Sequence, residues 1–303
     1  MSDKKRIIKC NYLEVCCRNT LTNELIKFDV YDFVKKIERM SLDELTKDYY
    51  QEKARIDKFW YREKGNYWVF NFIRLRDTNI PNRGYIDRES ESIELKEDEF
   101  LSEEVNAIYD CSLEVLMLQR NIHSLSIKGI QEYITKIIDN PYIKVELIPI
   151  LRKDALEKLY NAKNYKKISV KFANVKDKYL HTDAKTCLGN IFGICNSWNG
   201  YCGELSIGIG RCKNESLDKH AVKDALLDID NNREIISKAL VVIETEDNKV
   251  DTVDLFEDTM QDVVVAVLAK RVSLASEYIE KLMLDKFISR KGEIYEILEG
   301  RGD

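Results

Sequence analysis

The sequence predicts an α+β fold of two domains, with mixed sheets, flanking helices and a long C-terminal helix. Three observations predict it. Segments with apolar residues at every second position are interleaved with segments at helical spacing. Of 303 residues, 44% are hydrophobic and 10% aromatic, enough for a full core and too many for a disordered chain. No Gly or Pro occurs between Arg211 and Lys291, which favours long regular elements there.

Residues Ile7 to Cys17 alternate loosely and read as a first strand. Asp29 to Met40 place Val30, Phe33, Val34 and Ile37 on one helical face. Ser41 with Glu44 three residues on is a capping box, and opens a helix to about Lys53. Arg55 to Arg62 and Tyr67 to Arg76 are aromatic-rich strands around Gly65-Asn66, and form a hairpin. Thr78 to Phe100 carries Pro81, Gly84 and an acidic run, and marks the boundary between domains 1–84 and 85–303.

Two strands follow, Glu104 to Tyr109 and Leu113 to Gln119. Ser126 to Ile138 is an amphipathic helix with Ile127, Ile130, Ile134, Ile137 and Ile138 in register. Next come a strand from Ile143 to Ile150 and a short helix from Lys153 to Asn161. On the strand Lys166 to Ala173, apolar Ile168, Val170 and Phe172 alternate with Lys167, Ser169 and Lys171. Asp183 to Ile194 reads as helix and Gly203 to Arg211 as strand. A helix from Leu217 to Ile229 precedes strands at Ala239 to Glu244 and Val250 to Leu255. The closing helix is read from Met260, although Val263-Val264-Val265 also suits a strand. Its apolar stripe through Tyr278, Leu282 and Phe287 either forms a dimer interface or covers the protein's own sheet.

Charge is distributed unevenly. Residues 120 to 180 hold 13 Lys/Arg and 6 Asp/Glu, whereas 85 to 119 hold 2 and 11, and 215 to 303 hold 12 and 21. A cationic face on a chain of net charge −5 meets either an anionic partner or the protein's own carboxylates. The candidate nucleic-acid contacts are Arg152, Lys153, Lys158, Lys163, Lys166, Lys167 and Lys171. Ammonium groups attract phosphate without reading sequence, so binding is expected to be sequence-independent; the ligand expected is duplex DNA ahead of RNA. The expectation requires these cations to be free of carboxylates from the last ninety positions.

No motif for catalysis accompanies this segment, and neither a cofactor nor a metal is expected. Cys187, Cys195, Cys202 and Cys212, near His181 and His220, lack the close ligand pairs of a zinc site and read as buried, reduced thiols acting as small hydrophobes. Gly208-Ile209-Gly210-Arg211 fails the dinucleotide fingerprint, and a close approach between backbones explains its glycines better. Glu244, Glu246 and Asp247 with Lys249 follow an apolar strand, a setting in which metal-dependent nucleases hold Mg²⁺. Acidic turns between strands are the commoner reading. His123 beside Ser124 has no third partner. The first residues lack the apolar stretch of a secretory signal, and the longest apolar run, Val263 to Ala269, is far short of a membrane span, so a cytoplasmic protein is expected.

From Phe100-Leu101-Ser102 onward the order of elements resembles the A component of the lambdoid Rex phage-exclusion system. The similarity runs through Leu118-Gln119-Arg120-Asn121-Ile122-His123-Ser124-Leu125-Ser126, the helix Ile127 to Ile138, Val145-Glu146-Leu147-Ile148-Pro149 and the basic strand Lys166 to Phe172. It ends with the strand Leu205 to Ile209 and the C-terminal helix. The resemblance implies a DNA-binding homodimer that senses phage infection without catalysis and acts through a membrane-protein effector. It places the DNA-contacting character on Lys163, Lys166, Lys167 and Lys171. The alternatives are a metal-dependent nuclease toxin of an abortive-infection system and a protein-interaction module that binds no nucleic acid.

Overall fold

The computed structural model describes residues 4–22, 24–173, 187–210, 212, 215–231, 235–268 and 273–299. The fold is α+β, with two sheets and a long C-terminal helix. The division of the chain differs from the expected 1–84 and 85–303. Residues 1–148 and 261–303 form the first unit, and residues 149–260 form a second unit inserted into it.

In the first unit, β1 (Lys4–Asn19) is a sixteen-residue strand. It pairs with β13 (Gln261–Leu268), β7 (Val115–Gln119), β2 (Leu25–Lys27) and β8 (Ile143–Pro149). The sheet continues from β7 through β6 (Leu101–Asp110), β5 (Tyr67–Arg76) and β4 (Glu52–Arg62) to β3 (Lys47–Tyr49). β4 and β5 are the expected hairpin, turned at Asn66 with φ 52°.

The helices α1 (Val30–Ile37), α2 (Leu42–Leu45) and α3 (Ile127–Ile138) cover one face. Phe33, Ile37, Leu45, Ile130 and Ile134 pack there with Val15, Phe72, Val105 and Leu118 in one apolar core. Both limbs of the Ser41–Glu44 capping box are present. The helix behind it is a single turn rather than a run to Lys53, because β3 and β4 claim the residues that follow.

The closing helix, α7, is Ser276–Glu299. It starts later than expected, since the β-branched run at Val263 to Val265 joins the sheet as β13. Its apolar stripe covers the unit's own sheet: Ile279, Met283 and Phe287 are buried, and Phe287 meets Tyr12 at 5.8 Å between ring centroids. Polar anchors fix the helix as well. Lys291 Nζ lies 2.6 Å from Asp110, Arg290 Nε 3.0 Å from Asp262, and Asn71 donates to Ser276 Oγ at 3.0 Å.

The second unit orders its strands β10 (Cys202–Gly208), β9 (Asn164–Ala173), β11 (Ile236–Glu244) and β12 (Val250–Asp254). The helices α4 (Lys153–Tyr160), α5 (Cys187–Ser197) and α6 (Lys219–Asn231) supply Leu159, Phe192, Val222 and Ile229 to its core. These pack on Ile168, Val170, Phe172, Ala239, Val241 and Val253. One face of the sheet is therefore covered by helices. Among the described residues of this unit, no element covers the other face.

Candidate nucleic-acid interface

Alternation along each strand decides which residues reach the open face of the second unit. On β9 these are Lys167, Ser169 and Lys171, as the sequence predicts. Register brings Glu204, Ser206 and Gly208 beside them on β10, and Lys238, Leu240 and Val242 on β11. Lys171 stands directly opposite Lys238. Lys238 was missed because the strand was read from Ala239. Its signal is the same alternation, begun one residue earlier.

Lys166 breaks the alternation. Lys167 pairs with Val242 and Tyr165 with Ile243, so Lys166 is the extra residue of a β-bulge. The bulge turns Lys166 to the side of Lys167, and both line a cleft of about 870 Å³ with Gly208, Gly210, Glu244 and Asn248. Gly208 is the close approach expected: a Cβ there would lie 3.1 Å from the Lys166 carbonyl oxygen. Gly210 takes φ +63°, a left-handed conformation that suits glycine.

The structure does not bring the seven predicted cations onto one face, nor does it leave them all free. Arg152, Lys153 and Lys158 belong to α4 and its cap, in the helical layer. Arg152 pairs with Asp258 at 2.7 Å and Lys158 with Asp251 at 2.8 Å. That contact holds the Asp251 carboxyl below its ordinary range and raises the Lys158 ammonium. Lys166 pairs with Glu244 at 2.6 Å, with 14% and 15% of the side chains exposed. Hydrogen bonds from Lys166 and Asn164 lower the Glu244 pKa.

Three of the seven cations are thus matched by carboxylates of the last ninety residues, so the sequence condition fails for Arg152, Lys158 and Lys166. Lys171 reaches Glu204 at 3.1 Å, but both side chains are more than half exposed. Lys163 donates to the neutral Asn248 side chain at 2.5 Å, and Lys167 is exposed on the sheet.

Metal chemistry finds no ready frame. Among the described residues, no group of three His, Cys, Asp or Glu is placed to hold a metal ion. His181 and the side chain of Cys187 lie outside the described residues. Against the expectation of buried thiols, Cys195 is only half-buried, and Cys202 and Cys212 are exposed, Cys202 at the start of the edge strand β10. Glu244 belongs to the Lys166 pair, and Glu246 and Asp247 are exposed in the turn after β11. Among the described residues, no helix is long and apolar enough to cross a membrane.

The second unit thus carries helices on one face of its sheet and the exposed Lys167, Lys171 and Lys238 on the other. The chain belongs to a family of unknown function, DUF6731, whose model matches residues 3–293. No curated protein matches it.

Proposed function

We propose that the open face of the second sheet binds nucleic acid, duplex DNA ahead of RNA, without reading its sequence. The contacts are Lys163, Lys167, Lys171 and Lys238, fewer than the sequence indicated and differently composed. One observation carries this reading: Lys171 and Lys238 stand opposite each other on neighbouring strands, and both are exposed. Like charges directly opposite destabilise a sheet, and an anion laid across them relieves that repulsion. Exposed ion pairs such as Lys171–Glu204 contribute little and exchange readily for phosphate.

The resemblance to the Rex A component supports a wider role. In it the chain is a cytoplasmic, non-enzymatic sensor of a bacterial or prophage antiphage system, acting through a partner such as a membrane effector. Glu204 and Glu244 on the same face favour a second reading, a protein partner of mixed charge. A binding titration with duplex DNA, single-stranded DNA and RNA, with and without Mg²⁺, separates the readings. Four phosphate contacts predict a loss of affinity of roughly 10²-fold between 50 and 200 mM salt. Absence of binding at low salt ends the nucleic-acid proposal, and Mg²⁺-dependent cutting replaces it with the nuclease reading.

A further inference from the structure

The two ends of the first sheet are unlike. β3 ends it with three residues, of which Lys47 and Asp48 carry charge. A short, charged edge is how a sheet avoids pairing with another chain. β13, at the opposite end, has eight residues, and from Val263 to Leu268 it contains no charge, proline or glycine.

The direction of its backbone groups follows from one contact. Val267 N–H donates to the Tyr278 hydroxyl at 3.1 Å, and so points away from β1. Inward and outward amides alternate in an antiparallel ladder, so Val263 and Val265 also turn their backbone groups outward. Their side chains add an apolar strip. Val263, Val265 and Val267 are 44%, 47% and 44% exposed, and Ile7, opposite Val265 on β1, is 70% exposed.

We propose that β13 is the docking edge for a second copy of this chain, paired antiparallel about a two-fold axis at Val264. This register sets Val263 of each copy opposite Val265 of the other. It uses the outward groups of both residues for four backbone hydrogen bonds, and the ladder ends there, because the Tyr278 hydroxyl holds the place at Val267 that Gln261 of the other copy would otherwise fill. On one face, Ile7, Val265, Val263 of the other copy and its Lys9 fall in one row, so the apolar strip runs across the junction. On the other face, the row runs from Asp262 through Ala266 of the second copy to its Arg6. The opposite charges of Asp262 and Arg6 then stand two strand spacings apart, about 10 Å between backbones, with no like-charge pair between them. This interface is independent of the nucleic-acid reading and places the expected homodimer on β13 instead of α7.

Light scattering of the full chain across a concentration series tests it, with hydrogen exchange read at Val263 and Val265. The expected result is a mass of two chains, with both amides protected at high concentration and released on dilution. Val265→Lys puts a charge on an exposed position of the strip, and Val265→Pro removes an outward donor that β1 does not use. Each is expected to weaken the dimer at least tenfold, with little change in the melting temperature read at a concentration where the chains are single. A single-chain mass at the highest concentration overturns the proposal. So does a dimer that both substitutions leave unchanged, or fast exchange at Val263 and Val265 within a dimer.

Discussion

Lys166 and Glu244 meet across the bulge of β9 at 2.6 Å, with only 14% and 15% of their side chains exposed. The pair makes Lys166 an internal partner of the sheet, although it sits among the basic residues of the sequence. Lys166→Gln is expected to lower the melting temperature and leave the salt dependence of nucleic-acid binding unchanged. Lys171→Gln is expected to do the reverse, reducing the slope of log affinity against log salt by about 1. Equal slopes for the two variants, measured by filter binding, contradict this division.

Lys238→Glu replaces a like-charge neighbour of Lys171 with an opposite one. The expected gain is about 0.2–1 kcal/mol of stability, typical of cross-strand pairs, together with at least a tenfold loss of nucleic-acid affinity. A thermal melt and a binding titration on one preparation check both. A variant that is less stable and binds equally well counts against the proposed face.

Glu280 gathers Trp60 Nε1 at 3.1 Å, Arg62 Nε and Nη2 at 2.8 and 2.9 Å, and the Tyr67 hydroxyl at 3.1 Å. Burial opposes its charge, but Arg62, Tyr67 and Trp60 outweigh burial and hold its pKa below the ordinary value. A lowered folded pKa gives stability that is complete above the unfolded value, about pH 4.3, and is lost as pH falls through the folded value. Glu280→Gln is expected to cost about 1–2 kcal/mol near neutrality, since Arg62 is half exposed and screened. It should also flatten the fall of stability below about pH 4.3. Urea titrations across that range measure both effects.

The cysteines divide by burial. Cys10 and Cys16 have thiol pKa values pushed up to about 12, and Cys17 to about 11, chiefly by burial. Cys202 and Cys212 are exposed. Because the thiolate is the reactive species, a thiol reagent on the native chain should label Cys202 and Cys212 first. It should reach Cys10, Cys16 and Cys17 only after denaturant is added. Peptide mapping after a short exposure decides it, and early labelling of Cys16 contradicts the buried placement.

Arg18 on β1 grips Glu146 on β8 with two hydrogen bonds, 2.7 and 2.8 Å, and about a tenth of each side chain is exposed. Arg18→Met leaves Glu146 uncompensated and is expected to cost about 3–5 kcal/mol. Adding Glu146→Leu should restore most of that loss, because an apolar pair of similar volume tolerates this environment. A double variant no more stable than Arg18→Met shows that the loss lies elsewhere.

Local chemistry was legible in the sequence where it decides structure. The Ser41 cap needs only Glu44, and the alternation from Ile168 to Phe172 places Lys167 and Lys171 on one face without reference to the rest of the chain. What could not be read depends on distant partners. Lys4 pairs with Leu268 across almost the whole chain, and this pairing makes Val263 to Leu268 a strand and residues 149–260 an insert. Nothing near either segment encodes that meeting. The ion pairs of Arg152 and Lys158 are of the same kind, with carboxylates about a hundred positions away. The bulge at Lys166 was invisible for a related reason: an extra residue shows only against its partner strand.

Ile150 accepts a hydrogen bond from the Met260 amide at 2.7 Å, and Leu151 bridges Thr259. The entry and exit of the inserted unit are therefore held side by side at a single doorway. A segment tethered in this way can be exchanged, enlarged or excised as a cassette while its host keeps its chain path. The lysine-bearing face can consequently diverge at its own pace from the sheet into which it is spliced.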